Sequence, residues 1–441
     1  MIIDFTISNF RSIKEAQALS FEATNDTHLE DYIVVKKGKY RLLKMASILG
    51  ANASGKSNVI RAFSIFPNLV LHPCENKNDK ISFDNFALDE NTRFQDSEMM
   101  VNFLCGEAKY HYEVCFNNNR VCHELLTCLP FDKSREHKVF ERDTDKESLV
   151  SSITIGLNYP GVSSEIRKLT TNLLHNRTVF GAFQKSNVNI PWMKTIVDWI
   201  SNYCMPIVKT SEQGLSEFTT RNISQNYISK NQVASLLQKA DVGIYDFAIK
   251  KVENPIPADV VDMIQNDPNT PNELKERIKI HPTSEDTKVM MMHQGAQGGV
   301  SFDFNEESRG TQRYYELSGV LLRLINESHI VAIDELEFSM HPDLYEHFLV
   351  TFLTNAKESQ LMFTTHMREF LADRDLFRDD SVWFTQKNEM GATELYSLAD
   401  FGTEVLRKAN SRYNAYRSGR LGAVPQLGDT FVEQSSHNGD E

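Results

Sequence analysis

Hydrophobic residues along the chain change period several times, and each change predicts an element. Met45 to Leu49 is apolar apart from Ser47 and reads as a short buried strand. Asn58 to Phe63 follows as a helix-compatible run. Met99 to Leu104 and Lys109 to Phe116 read as two strands, with Gly106 near the turn between them. From about residue 151 the period becomes helical. Val162, Ile166, Leu169 and Leu173 follow 4-3-4 spacing, and Pro191 opens a helix carrying Trp192, Ile196 and Trp199. Val233, Leu236 and Leu237 mark a third helix. None of these stripes lasts the three or four heptads of a coiled coil. Tyr245, Phe247 and Ile249 alternate as a strand, whereas Asn254 to Glu285 is polar and Pro-bearing and predicts a flexible surface excursion with short helices at most. Lys288 to Phe304 reads as a hairpin around Gly295-Ala296-Gln297-Gly298-Gly299. A helix then carries Tyr314, Leu317, Leu321 and Leu324, and two short apolar strands follow, Ile330 to Ile333 and Leu361 to His366.

Composition narrows the class. A chain of 441 residues, 41% hydrophobic and 24% charged, is ordinary globular material, with length for two or three domains. A net charge of −13 argues against bulk coating of nucleic acid, although a local basic groove is compatible with it. No apolar run reaches membrane-span length, and MIIDFTISNFRS has neither the basic nor the apolar region of a secretory signal. The expected location is therefore cytoplasmic, without a membrane partner. The six cysteines include no CxxC pair. Cys115, Cys122, His123 and Cys128 lie near one another in sequence. Without metal-site spacing they read as reduced cysteines in a strand-rich region.

The chemistry concentrates in two separated segments. Gly50-Ala51-Asn52-Ala53-Ser54-Gly55-Lys56-Ser57 matches GxxxxGK[ST] between a strand and a helix. Its backbone N–H groups and the helix N-terminus suit phosphate oxygens. Lys56 would reach the β- and γ-phosphates and Ser57 would ligate Mg²⁺. Asn52, Ala53, Ser54, Gly55 and Asn58 complete the predicted cradle. Far downstream, the strand Ile330 to Ile333 ends in Asp334-Glu335. Asp334 is placed to hold Mg²⁺ and Glu335 to activate the attacking water. His366 ends the next strand, where it could touch the γ-phosphate. Glu307-Ser308-Arg309-Gly310-Thr311-Gln312-Arg313 opens a helix, so that Ser308 and Gly310 form a second anion site.

Together these motifs resemble the ATP-binding-cassette (ABC) ATPases of the SMC and RecF kind rather than transporter subunits. Ser308-Arg309-Gly310 is similar to their signature motif, with Arg309 where Gly is usual. Ser339 to Pro342 resembles the D-loop and His366 the switch histidine. No Q-loop glutamine stands out, Gln95 being the nearest candidate. Asn9-Phe10-Arg11-Ser12 is similar to the N-terminal element of that group, which implies that Arg11 lies near the nucleotide. More closely, the chain resembles stand-alone ATPases of bacterial abortive-infection systems, the RloA/AbiL-like group, with relatives in overcoming-lysogenization-defect proteins and the PARIS system. The residues carrying this are Ile7 to Ser20, Gly50 to Asn58, Glu307 to Arg313, Asp334 to Pro342, Thr364 to His366 and Gly419 to Pro425.

The resemblance implies an α/β fold, a two-lobed P-loop head with a mainly helical insertion replacing the SMC coiled-coil arm. The expected division is an N-terminal lobe over 1–150, the insertion over 151–287, a C-terminal lobe over 288–400, and a basic tail over 401–441 with a disordered end. In that tail Arg407, Lys408, Arg412, Arg417 and Arg420 with Tyr413 and Tyr416 suit either a partner or packing on the lobe itself. ATP and Mg²⁺ are the implied cofactors, and a homodimer or higher oligomer sandwiching ATP is the implied assembly. No further carboxylate cluster has nuclease spacing and no stretch accommodates a Toprim domain. The implied effector is therefore a separate Toprim-like or RloB-like nuclease, released by a phage-encoded trigger. The alternative is a RecF-like DNA-repair ATPase acting directly on DNA.

Overall fold

The computed structural model describes residues 1–157, 163–209, 214–268, 270–296, 298–402, 411–425 and 428–430. Val162, Gln297, Arg407, Lys408 and the segment 434–441, all singled out from sequence, lie outside the described residues. The chain forms two compact units. One contains residues 1–207, 331–334 and 361–441; the other contains 208–330 and 335–360.

Two sheets build the first unit. Among the described residues, seven antiparallel strands run in the order Ser151–Ile155, His137–Thr144, Val121–Pro130, Ala108–Phe116, Ser97–Cys105, Ile2–Ile7 and Gln17–Ser20. The second sheet has the order Ile330–Ile333, Gln360–Thr364, Met45–Gly50, Val382–Lys387 and Thr393–Ser397. Met45–Gly50 pairs in parallel with both of its neighbours. All six of its residues are buried, as a strand covered on both faces requires.

Lys56–Leu71 is the helix that follows this central strand. Val59, Ile60, Phe63 and Phe66 form its buried stripe. Phe63 packs on Phe5 (ring centroids 5.4 Å apart), and Phe66 packs on Phe103 and Tyr112 (both 5.8 Å). Val179–Gln184 and Pro191–Tyr203 belong to the same core. Phe180 meets Tyr112 and Phe140, and Trp199 stacks on Phe103 at 4.7 Å. The expected boundaries at 150 and 287 therefore do not divide the packing. Ser151–Ile155 is an edge strand of the seven-stranded sheet, and Thr283–Gly295 runs across the second boundary.

A buried charged network ties the first sheet to these helices. Glu124 accepts from the Tyr112 hydroxyl (2.9 Å) and from the Val179 N–H (2.8 Å), and Arg142 donates to Val121 O (2.7 Å) and Ser151 Oγ (3.0 Å). Both side chains are fully buried. Burial pushes the Glu124 carboxyl up to about 7, against the opposing pull of Arg142. Burial also lowers the Arg142 pKa. The folded chain thus holds a proton that the unfolded chain releases near its ordinary 4.5. Stability should fall as pH rises through this window, by on the order of 2–3 kcal/mol. Urea unfolding at pH 5 and pH 8 checks this, because Glu124→Gln should lose less stability between the two pH values than the wild type. Parallel losses would refute it.

In the second unit Leu215–Ser224 and Lys230–Lys239 pack on Arg309–Asn326. Gly319 permits the close approach: a Cβ there would lie 2.1 Å from Thr219 Oγ1. Thr219 and Thr220 bond Glu316 O (2.8 Å) and the Tyr315 hydroxyl (3.0 Å) across this contact. Tyr314, Leu317, Leu321 and Leu324 are all buried, as the spacing predicts. The polar stretch after Asn254 holds two short helices, as expected, and its two ends extend a longer ribbon. Ile244–Pro255 pairs with Thr283–Gly295 along its whole length, Pro255 opposite Thr283, and the helices Ala258–Asn266 and Asn272–Ile280 lie between the paired strands. Backbone ladder bonds hold this ribbon, so polar side chains do not prevent it. The strand Gly298–Asp303 completes the predicted hairpin. No described helix is long and apolar enough to cross a membrane.

Candidate functional site

The phosphate loop is shaped by its neighbours. Gly50 ends the central strand, and a Cβ there would meet Thr385 O at 2.4 Å. Gly55 has φ of 113°, and a Cβ there would meet Thr393 Oγ1 at 2.1 Å. Ala53 between them also takes positive φ, at 60°. Only glycine fits the two framing positions without displacing the adjacent strands. No side chain caps the helix that starts at Lys56, so no side chain blocks an anion from its N-terminus.

The motif residues take distinct partners. Lys56 is buried, and Nζ donates to Gly50 O (2.9 Å) and Ala51 O (3.0 Å). The cation is held inside the loop by the loop's own carbonyls. Ser57 Oγ donates to Asp334 Oδ1 (2.9 Å), and Thr364 Oγ1 donates to the same oxygen (2.7 Å). Residues far apart in sequence thus converge on one carboxylate. Ser54 is buried against Thr385 (Oγ to Oγ1, 2.6 Å), and Ser54 O accepts from Thr393 Oγ1 (2.9 Å). Asn52 and Ala53 are exposed. Asn58 turns away from the loop and donates to Ser12 Oγ (2.7 Å). Ser12 Oγ also meets Thr393 Oγ1 at 2.8 Å, so the N-terminal element is wired to the loop through Ser12. The Arg11 side chain instead pairs with Asp84 at 2.8 Å, with its backbone at φ of 50°. Gln95 contributes its carbonyl to Asn9 and Asn85, and its side chain is exposed.

His366 lies two residues past the end of Gln360–Thr364 and is exposed on a cleft of about 1060 Å³. Gly50, Asn52, Ser54 and Thr365 line one part of this cleft, and Tyr416, Gly422 and Pro425 of the tail line another. Tyr416 stacks on Phe384 (5.5 Å), and its hydroxyl donates to Ala423 O (3.0 Å). Arg412 is buried and donates to Phe377 O (2.7 Å) while pairing with Asp379 (2.5 Å). The described tail helix, Arg412–Arg417, therefore packs on its own lobe. Of the basic tail expected from sequence, the described helix Arg412–Arg417 has its leading arginine occupied inside the fold.

Within the second unit, Ser308 caps Arg309–Asn326 and accepts from Thr311 N–H (3.2 Å). Gly310 sits against the D-loop-like turn: a Cβ there would lie 3.0 Å from Ser339 O. Ser308 and Arg309 are exposed at this helix start. Glu335 and Ser339 both hold positive φ, 50° and 62°, so the acidic turn carries two residues in a region that side chains disfavour.

Oxygen donors at Ser57 and Asp334 match what a hard divalent cation takes. A buried lysine whose ammonium donates to the loop carbonyls lies where phosphate oxygens would be bound. The residues present fit ATP and Mg²⁺. The sequence singled out the loop, Asp334 and His366 as candidates. It gave no separate role to Ser12 or Thr364 within their motif segments, and none to Thr385 or Thr393, which meet the loop only through the fold.

Fold and site define the P-loop class: a central parallel strand, a glycine loop and a helix, with Asp334 bonded to Ser57. Residues 209–372 match the family described as "AAA domain, putative AbiEii toxin, Type IV TA system", in agreement with the abortive-infection resemblance. Among solved structures, the chain is similar to an SMC head bound to the C-terminal winged-helix domain of ScpA (11% identity, TM-score 0.41, covering 90% of this chain and 97% of that one). It is similar to the SMC head of Thermotoga maritima (10%, 0.39, 90% and 98%). It is also similar to the Pyrococcus furiosus Smc head with an extended coiled coil, bound to the C-terminal domain of ScpA (12%, 0.39, 93% and 99%). No curated protein matched the chain.

Proposed function

We propose that the protein binds and hydrolyses ATP with Mg²⁺ in the cytoplasm, and is the sensor or regulatory subunit of an antiphage, abortive-infection complex. The observation that carries the ATPase reading is the convergence of Ser57 and Thr364 on Asp334 beside a buried Lys56. Ser57 and Asp334 would hold the metal ion, which supplies charge neutralisation at the phosphates. Lys56 and the N–H groups of Asn52 to Ser57 would orient the phosphates. Glu335, the next residue in the chain after Asp334, would take the proton of the attacking water, and His366 would contact the γ-phosphate. Ser308 and Gly310 of the partner subunit would close each site. Two heads then associate only while the γ-phosphate is present, which makes the cycle a switch for a separate effector. The defence role rests on the family match and the resemblance. The domain roles expected from sequence, two ATPase lobes flanking an insertion, belong to the same reading.

Light scattering with and without ATP·Mg²⁺ tests the switch. The expected result is a mass that doubles, or rises further, on ATP. A monomer under all conditions would sink the closure by a partner's signature helix.

One observation favours the RecF-like alternative, direct action on DNA. Lys77, Lys80, Arg120 and Lys146 line a cleft of about 530 Å³ in the first unit, and none of the four pairs with a carboxylate among the described residues. Stimulation of turnover by duplex DNA, lost on charge reversal of these four, would support that reading.

A further inference from the structure

The cysteine group that sequence spacing leaves as unremarkable is rearranged by the fold. Cys128 is buried elsewhere, and His123 pairs with Asp143 at 2.9 Å. Cys115 and Cys122 come together with Asp96. The two sulfurs and a carboxylate oxygen all lie within 4.8 Å of one another. The strand ladder explains how. Phe116 pairs with Val121 and Cys115 with His123, so Cys122 is the extra residue of a β-bulge beside Cys115. Asp96 immediately precedes Ser97–Cys105, the neighbouring strand, whose Ser97 pairs with Phe116.

We propose that Asp96, Cys115 and Cys122 bind a zinc-class divalent cation, with water as the fourth ligand. Three observations support this. The donor set, two half-buried sulfurs and one carboxylate, is of the kind zinc takes. A tetrahedral ion with bonds of about 2.0–2.3 Å needs donors about 3.3–3.8 Å apart. Small side-chain rotations therefore bring this cluster to binding distance. Finally, Asn117 at the head of the turn donates Nδ2 to Asp96 Oδ1 (2.6 Å) and approaches Cys122 Sγ (3.9 Å). One amide thus orients two ligands toward the same point, as outer-shell groups of metal sites do. Binding releases the thiol protons to solvent and oxidises nothing. The ion would fasten three adjacent strands at the Asn117–Arg120 turn.

The test uses the full chain, stripped with chelator, held in a non-thiol reductant and titrated with Co²⁺. The expected result is saturation at one equivalent, with thiolate-to-cobalt charge-transfer absorption and tetrahedral visible bands, both bleached by Zn²⁺. Cys115→Ser and Cys122→Ser should lose the charge-transfer bands, and Asp96→Asn should weaken affinity at least tenfold. Asn117→Ala should weaken it about tenfold. Cys74→Ser should change nothing. Circular dichroism identifies a variant that has not folded, in which case the milder Asn117→Ala and Asp96→Asn titrations decide. Absence of saturable binding to folded, fully reduced wild-type protein would overturn the proposal. So would a Cys115–Cys122 disulfide that forms in air and persists at excess Zn²⁺, which would make the pair a redox element. Neither outcome bears on the ATP site.

Discussion

Lys56→Ala should reduce ATP turnover by about 10²–10³-fold, the scale on which loss of one preorganised electrostatic contact to a developing negative charge acts. The side chain is buried and points into its own loop, donating to Gly50 O and Ala51 O. In that position the ammonium is already desolvated and already aimed. Phosphate oxygens can replace the two carbonyls without a large movement of the chain. Alanine removes the charge and its two hydrogen bonds to the loop carbonyls, so nucleotide affinity should fall together with turnover. Turnover at saturating ATP, fluorescent-nucleotide binding and a thermal melt separate the effects. A loss of both functions at a nearly unchanged melting temperature fits the assigned role. Retained turnover would remove Lys56 from the site.

What was legible in the sequence was local. GxxxxGK[ST] lies between a strand and a helix that pattern alone reveals, and Asp334 ends a strand of four buried residues. Each motif carries its own secondary-structure context, so each could be placed without knowing the other. Illegible were the contacts that make the loop rigid. Thr393 reaches Ser54 O and Ser12 Oγ across more than 330 residues of sequence, and a threonine in an alternating strand has no feature that announces this. The pairing of Ile244–Pro255 with Thr283–Gly295 was illegible for a different reason. Pattern marked a strand at Tyr245 to Ile249 and a hairpin from Lys288, but backbone bonding between their polar extensions leaves no mark in hydropathy. Arg11 shows that a resemblance names a neighbourhood and not a partner: its guanidinium pairs with Asp84. The cysteines show the reverse case, where spacing judged in one dimension hid a contact made by a bulge.

Glu335→Gln should leave ATP binding intact and slow hydrolysis by about 10²–10⁴-fold, the contribution of a positioned general base. Gln preserves the shape of the residue and its ability to orient water, and removes the proton acceptor. The turn is conformationally demanding, with positive φ at Glu335 itself, so an isosteric change is the one that tests chemistry rather than folding. If hydrolysis separates two heads, the variant should accumulate the associated state that the wild type passes through. Light scattering of both proteins with ATP·Mg²⁺, beside single-turnover hydrolysis, reads the two consequences at once. A larger particle that persists in the variant and decays in the wild type fits a switch timed by Glu335. A mass already high without ATP would place assembly outside the nucleotide cycle, leaving ATP to act within a preformed complex. Equal and negligible turnover in both proteins would withdraw the enzymatic role and leave a nucleotide-binding scaffold, a reading in which Arg309 in the signature position would have a natural place.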